Sequence, residues 1–110
     1  MNKVTLLDRE FHFGIGFLNE LLNGLGVRLD ELGQQDEVFL VPKMMYYSQR
    51  YAYNRQSKPI DFTLQDIFDL IDDNGGINGQ FWTDFYTAFM DSMNKNVPAD
   101  TSKKKAKAAK

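Results

Sequence analysis

Ile77-Asn78-Gly79-Gln80-Phe81-Trp82-Thr83-Asp84-Phe85-Tyr86-Thr87-Ala88-Phe89-Met90-Asp91-Ser92-Met93 is the stretch on which the fold turns. Ile77, Phe81, Phe85, Phe89 and Met93 recur every fourth residue. Each such step advances about 40° round a straight helix, so the apolar stripe drifts slowly along one side. Trp82, Ala88 and Met90 widen it. A face that broad must be covered by other elements, so this helix is expected to form a main wall of the core. Burial of the three phenylalanines contributes roughly 1.5–3 kcal/mol each.

Upstream, Thr63-Leu64-Gln65-Asp66 has the form of a capping box, with aspartate in place of the longer glutamate. The spacing predicts a helix with Leu64, Ile67, Phe68, Leu70 and Ile71 inward, ended by Asn74-Gly75-Gly76. Residues 57–62 read as a linker with Ser57 and Pro59. A longer helix precedes it and runs to about Gln56. Pro42 is tolerated only near a helix start, which places the regular part from about Leu40. A start at Asp36 with a kink is the alternative, with Asp36 and Glu37 complementing the dipole. Residues 27–36 form a polar connector with one turn at Leu29-Asp30-Glu31-Leu32, stopped by Gly33.

The first helix is predicted over 14–24. Ile15, Leu18, Leu21, Leu22 and Leu25 share its inner face, with Phe17 beside them. Gly24 and Gly26 end it. Gly14 and Gly16 are out of place, since glycine inside a helix costs about 0.5–1 kcal/mol against alanine. Val4-Thr5-Leu6 and Phe11-His12-Phe13 alternate as strands of a hairpin turned at Leu7-Asp8-Arg9-Glu10. Alternation places His12 opposite its neighbours, facing solvent or a strand partner. The fold class is therefore mainly α: a small N-terminal β-hairpin followed by a bundle of about four helices. A single domain spans 1–97, and the lysine-rich tail 98–110 is expected to be disordered.

The 110 residues, 43% of them hydrophobic, suit one domain. There is no cysteine and only one histidine, which excludes disulfides, thiol nucleophiles, zinc–cysteine sites and multi-histidine metal sites. No apolar run reaches the ~18–20 residues of a membrane span, and the N-terminus lacks the apolar region of a secretory signal. A reducing cytoplasm is the expected compartment. The net charge of −2 hides an asymmetry: Lys103, Lys104, Lys105, Lys107 and Lys110 fall in the last eight residues, and setting those five aside leaves −7 for residues 1–102. An acidic body repels phosphate backbones, so nucleic acid is not the expected main ligand. The tail lysines read as a solvated end, with RNA or an acidic surface as the other option.

Motifs for chemistry fail on inspection. Were Asp72 the first ligand of a calcium loop, Ile77 would hold the glycine position and Thr83 that of the bidentate acid. Gly14-Ile15-Gly16 and Gly24-Leu25-Gly26 each stop at G-x-G, short of a dinucleotide fingerprint. Asp61, Asp66, Asp69, Asp72 and Asp73 read as the solvated face of a helix rather than as acid–base groups. No catalytic residue, metal or cofactor is expected. The candidate partner-binding residues are Met44, Met45, Tyr46, Tyr47, Tyr51 and Tyr53, which combine adaptable apolar area with polar tips. The residues leave open which of them line the core and which meet a partner.

Glu10-Phe11-His12-Phe13-Gly14-Ile15-Gly16-Phe17-Leu18-Asn19-Glu20-Leu21 resembles the opening of the tail assembly chaperones of long-tailed bacteriophages and prophages. The order of elements is similar too, through Phe62-Thr63-Leu64-Gln65-Asp66-Ile67-Phe68-Asp69-Leu70-Ile71-Asp72 to a final amphipathic helix. The resemblance covers roughly residues 1–95 and rests on hydrophobic spacing with a few glycines. It implies a non-enzymatic helper of tail morphogenesis. Such a helper coats the tape-measure protein in the host cytoplasm, keeps it soluble, helps recruit tail-tube subunits and is absent from the mature virion. It also implies a longer form made by programmed frameshift, which the lysine run Lys103-Lys104-Lys105-Ala106-Lys107 would suit. Another small helical adaptor, such as a head–tail connector or regulatory protein, is the rival reading. Self-association is left open by the residues.

Overall fold

The computed structural model describes residues 2–96. The predicted disordered tail over 98–110 lies outside the described residues. Strands β1 (Asn2–Leu6) and β2 (Arg9–Phe13) pair antiparallel, with Val4 opposite Phe11 and Lys3 opposite His12. Leu7 and Asp8 join them with φ of 53° and 61°. Two successive residues of positive φ make the tight turn whose twist matches that of the strands. The turn is thus two residues long, and Arg9 and Glu10, expected in it, already belong to β2.

Four α-helices follow among the described residues: α1 (Ile15–Leu25), α2 (Glu37–Arg55), α3 (Leu64–Asp73) and α4 (Gln80–Asn96). The mainly helical fold with an N-terminal hairpin is as the sequence predicts. α1 runs through Gly24, expected to end it, and stops one residue later. Gly26 adopts φ 71° and donates its N–H to the Leu22 carbonyl at 2.9 Å. The connector carries a 3-10 turn over Leu29–Gln34 that includes Gly33, so that glycine does not stop it. Glu31 braces this turn by accepting from the Arg28 N–H at 2.7 Å.

α2 begins at the earlier of the two predicted starts, not at Leu40. Asp36 caps it, its carboxylate accepting from the Val38 N–H at 3.0 Å. Pro42 therefore sits inside the helix. Its missing N–H would have served the Val38 carbonyl, and Val38 is exposed, so water can take that bond. The α3 capping box forms in full: Thr63 Oγ1 accepts from the Asp66 N–H at 3.2 Å and Asp66 Oδ2 from the Thr63 N–H at 2.8 Å.

The core gathers rings from three elements. Phe13 of β2 lies 5.5, 5.7 and 6.1 Å, centroid to centroid, from Phe17 of α1 and Phe85 and Phe89 of α4. Phe11 lies 5.3 Å from Phe85 and 6.1 Å from Phe81. Phe11 and Phe13 thus face α4, while α2 also packs on β2. Covered on both sides, β2 buries His12 as well, at 7% exposure. This corrects the solvent-facing alternative for His12; it remains the strand partner of Lys3.

Four apolar residues expected inward stand exposed instead, Met90 of α4 among them at 42%. Ile77 (55% exposed) lies in a 3-10 turn over Gly76–Asn78, before α4 begins, so the four-residue stripe was read through a turn. Ile15 (67% exposed) is the first residue of α1, and Phe17 takes the buried place. Phe68 lies at the rim of the inner face of α3, where Ile67 and Ile71 are buried.

Candidate functional site

The structure divides the six predicted partner-binding residues. Met44 and Met45 are wholly buried, at 0% exposure, and belong to the core rather than to any open surface. On α2, positions 44, 45, 48, 49 and 52 are all buried against the strands and neighbouring helices, and two adjacent methionines fill that broad inner face.

Tyr47 and Tyr51 seat on α1. A Cβ at Gly16 would lie 2.6 Å from Tyr51 Cε1, and one at Gly24 would run into the Tyr47 hydroxyl. These glycines are notches for two rings, which gives the physical reason for Gly16, out of place in a helix by its sequence, and for the glycine that α1 keeps at Gly24. Gly16 meets the later tyrosine and Gly24 the earlier one, so α1 and α2 run antiparallel along this seam.

Tyr46 and Tyr53 share Phe62, at 5.6 and 5.1 Å between centroids. Arg50 Nη1 donates to the Tyr46 hydroxyl at 3.2 Å, and Lys58 Nζ stands 5.7 Å from the Tyr53 ring centre. All four tyrosines are half-buried and pack against the core. They fasten α2 to its neighbours and leave only part of each ring outward.

A strongly apolar open surface lies elsewhere. A groove of about 320 Å³ runs between the 3-10 turn and α4, lined by Leu29, Leu32, Leu40, Tyr86, Met90 and Met93, with Phe89 at its base. Tyr86, Phe89, Met90 and Met93 stand at i, i+3, i+4 and i+7, one side of α4. Leu29 and Met90 are each 42% exposed. Sequence reading assigned Met90 and Met93 to the core stripe and the connector to polar spacer. The available signal was the pair Leu29 and Leu32, which face one way on a short turn.

Among the described residues, Glu10 is the titratable group with a clear perturbation. His12 Nε2 donates to Glu10 Oε1 at 2.9 Å, and Gln56 Nε2 donates to the same oxygen at 3.1 Å. The His12 hydrogen bond holds the Glu10 carboxyl below the ordinary glutamate range; partial desolvation opposes this, while the charges of His12 and Lys3 and the Gln56 bond assist. The sign follows: the contribution is present above the unfolded glutamate value of about 4.3 and is lost as pH falls through the lower folded value. A carboxyl-carbon NMR titration is expected to place the Glu10 midpoint below that of an unfolded glutamate. A midpoint at or above it would remove the ionised tie between β2 and α2.

Among the described residues, no group of three or more His, Asp or Glu side chains is placed to hold a metal, and no helix is long and apolar enough to cross a membrane. No protein-family model matches the chain. No curated protein and no solved structure matches it either.

Proposed function

We propose that the protein is a non-enzymatic tail assembly chaperone of a long-tailed phage or prophage. In this reading it binds an amphipathic helical stretch of the tape-measure protein, keeps that partner soluble and helps bring tail-tube subunits to it in the host cytoplasm. It leaves before the virion is complete.

The observation that carries the reading is the groove beside α4. Its lining is aliphatic, aromatic and thioether, and methionines adapt to partners of varied shape. A helix presenting residues at i, i+3, i+4 and i+7 can lay such a stripe into a groove. The groove residues Leu32 and Met90 stand next in sequence to exposed Glu31 and Asp91, while Asp30 beside Leu29 is paired with Arg28 at 3.5 Å. An apolar stripe bordered by lysine or arginine is therefore the matching occupant.

The proposal places the contact on Leu29, Leu32, Tyr86, Met90 and Met93 rather than on the α2 tyrosines. Tyr47 and Tyr51 are unsuited to a binding test, because a charge at either position would strip α2 from α1. Leu29 and Met90 are already partly in water, so L29D with M90D should fold. Co-expressed with a tape-measure fragment, the double variant is expected to retain about tenfold less of it than the parent, as loss of two apolar anchors implies. The exposed Ile15→Asp serves as the control and should retain the parent amount. Equal recovery by the groove variant would remove this surface from the proposal.

A further inference from the structure

Met44, Met45, Met90 and Met93 are the methionines among the described residues, and the fold sets them in two opposite environments. Met44 and Met45 are sealed at 0% exposure on the inner face of α2. Met90 is 42% exposed and Met93 is half-buried, and both line the groove beside α4. A thioether is oxidised where an oxidant can touch it, so exposure decides which sulfur reacts first. The pair on α2 is shielded by the core, whereas the pair on α4 opens on the groove.

The same groove is unsuited to the oxidised product. A sulfoxide puts a strongly polar oxygen where an apolar sulfur stood, and that oxygen calls for hydrogen-bond donors. The groove is lined by leucines, aromatic rings and thioethers, and of these side chains only the Tyr86 hydroxyl can donate. Water solvates the oxygen while the groove is open. An apolar stripe laid into the groove expels that water, and one hydroxyl does not replace it. The free protein therefore tolerates the sulfoxide and the complex does not.

We propose that Met90 is an oxidation site that governs the groove: a hydroperoxide converts it to the sulfoxide, and the groove then no longer holds an apolar helix. The inference deepens the chaperone reading and rests on it for the identity of the occupant. In the step itself a lone pair on Met90 Sδ attacks one peroxide oxygen and the O–O bond breaks. The sulfur keeps that oxygen, whose proton passes to the departing hydroxide to give water. Sulfur is oxidised by two electrons and the peroxide is reduced. Met93, a turn further along in the same groove, follows more slowly. A methionine sulfoxide reductase returns the sulfur to the thioether, so the change is reversible.

The test exposes the folded full chain to hydrogen peroxide and assigns the products by peptide mass spectrometry. Met90 is expected to oxidise at least about tenfold faster than Met44 or Met45, which react only when the core opens, and urea should abolish the difference. Far-UV circular dichroism should be unchanged. The Met90 sulfoxide form should retain about tenfold less of a tape-measure fragment than the reduced form, the loss expected for one polar group buried without its donors. Reductase treatment should restore retention, and bound fragment should in turn slow oxidation of Met90. Met90→Leu should give the same recovery before and after the same peroxide exposure. Reduced protein that retains none of the fragment would overturn the chaperone reading and this regulation with it. Equal retention by the reduced and sulfoxide forms would overturn the regulation alone. So would oxidation of Met90 no faster than that of Met44 and Met45, or a loss of retention that tracks unfolding.

Discussion

Phe13→Ala is expected to lower the unfolding free energy by about 3–5 kcal/mol, the range for removing a buried aromatic side chain. Phe13 is 1% exposed and joins the hairpin to both α1 and α4 through Phe17, Phe85 and Phe89. Tilted and edge-on ring pairs add about 0.5–1.5 kcal/mol beyond the area they bury, and this variant removes three of them. Natural domains have only about 5–15 kcal/mol in total, so the variant should be close to unfolding. Urea titration followed by the fluorescence of Trp82, the single tryptophan and nearly buried on α4, measures the loss. Phe13→Leu keeps much of the apolar volume and should cost less than half as much. A shift below about 1 kcal/mol for Phe13→Ala would mean that the ring cluster is not the centre of the core.

Gly79→Ala is expected to cost about 2–3 kcal/mol, through overpacking rather than backbone preference. Gly79 has an ordinary φ of −79°, so alanine is tolerated locally. The obstacle is the turn between α3 and α4. A Cβ at Gly79 would strike the Asn74 carbonyl oxygen and lie 3.0 Å from Gly75 Cα, which is backbone that cannot swing aside. Gly75 is itself fixed, with φ of 97°. The expected fall in Tm is roughly 8–24 °C for a domain of this size, read by calorimetry. Gly33→Ala is the matched control: nothing lies within 4 Å of its added carbon, and it should be neutral or slightly stabilising. Equal melting of the two variants would show that the turn opens at little cost.

The local chemistry made much of this architecture readable in the sequence. Thr63 with Asp66 marked the start of α3, and the alternation at Val4–Leu6 and Phe11–Phe13 marked the hairpin. Periodicity fails where an element is covered on more than one side. β2 lies between α2 and α4, so His12 is buried although the pattern shows one apolar face. It fails again where a spacing carries across a turn, as at Ile77, which keeps the four-residue step but precedes α4. The candidate site was less legible. Met44, Met45 and the tyrosines have the composition of an interface, yet the seam between α1, α2 and Phe62 takes up most of them. The groove beside α4 depends on where a six-residue 3-10 turn lays Leu29 and Leu32, a tertiary placement that no local pattern encodes.

The glycine notches of α1 reach beyond this one molecule. Residues 16 and 51 form one lock and key, and residues 24 and 47 another. Mutational drift at either member is then conditional on its mate: a methyl group gained at 24 is tolerable only once the ring at 47 has shrunk. Divergent descendants should therefore change these positions in pairs, and a chimera joining α1 of one descendant to α2 of another should misfit along this seam even where both parents are sound.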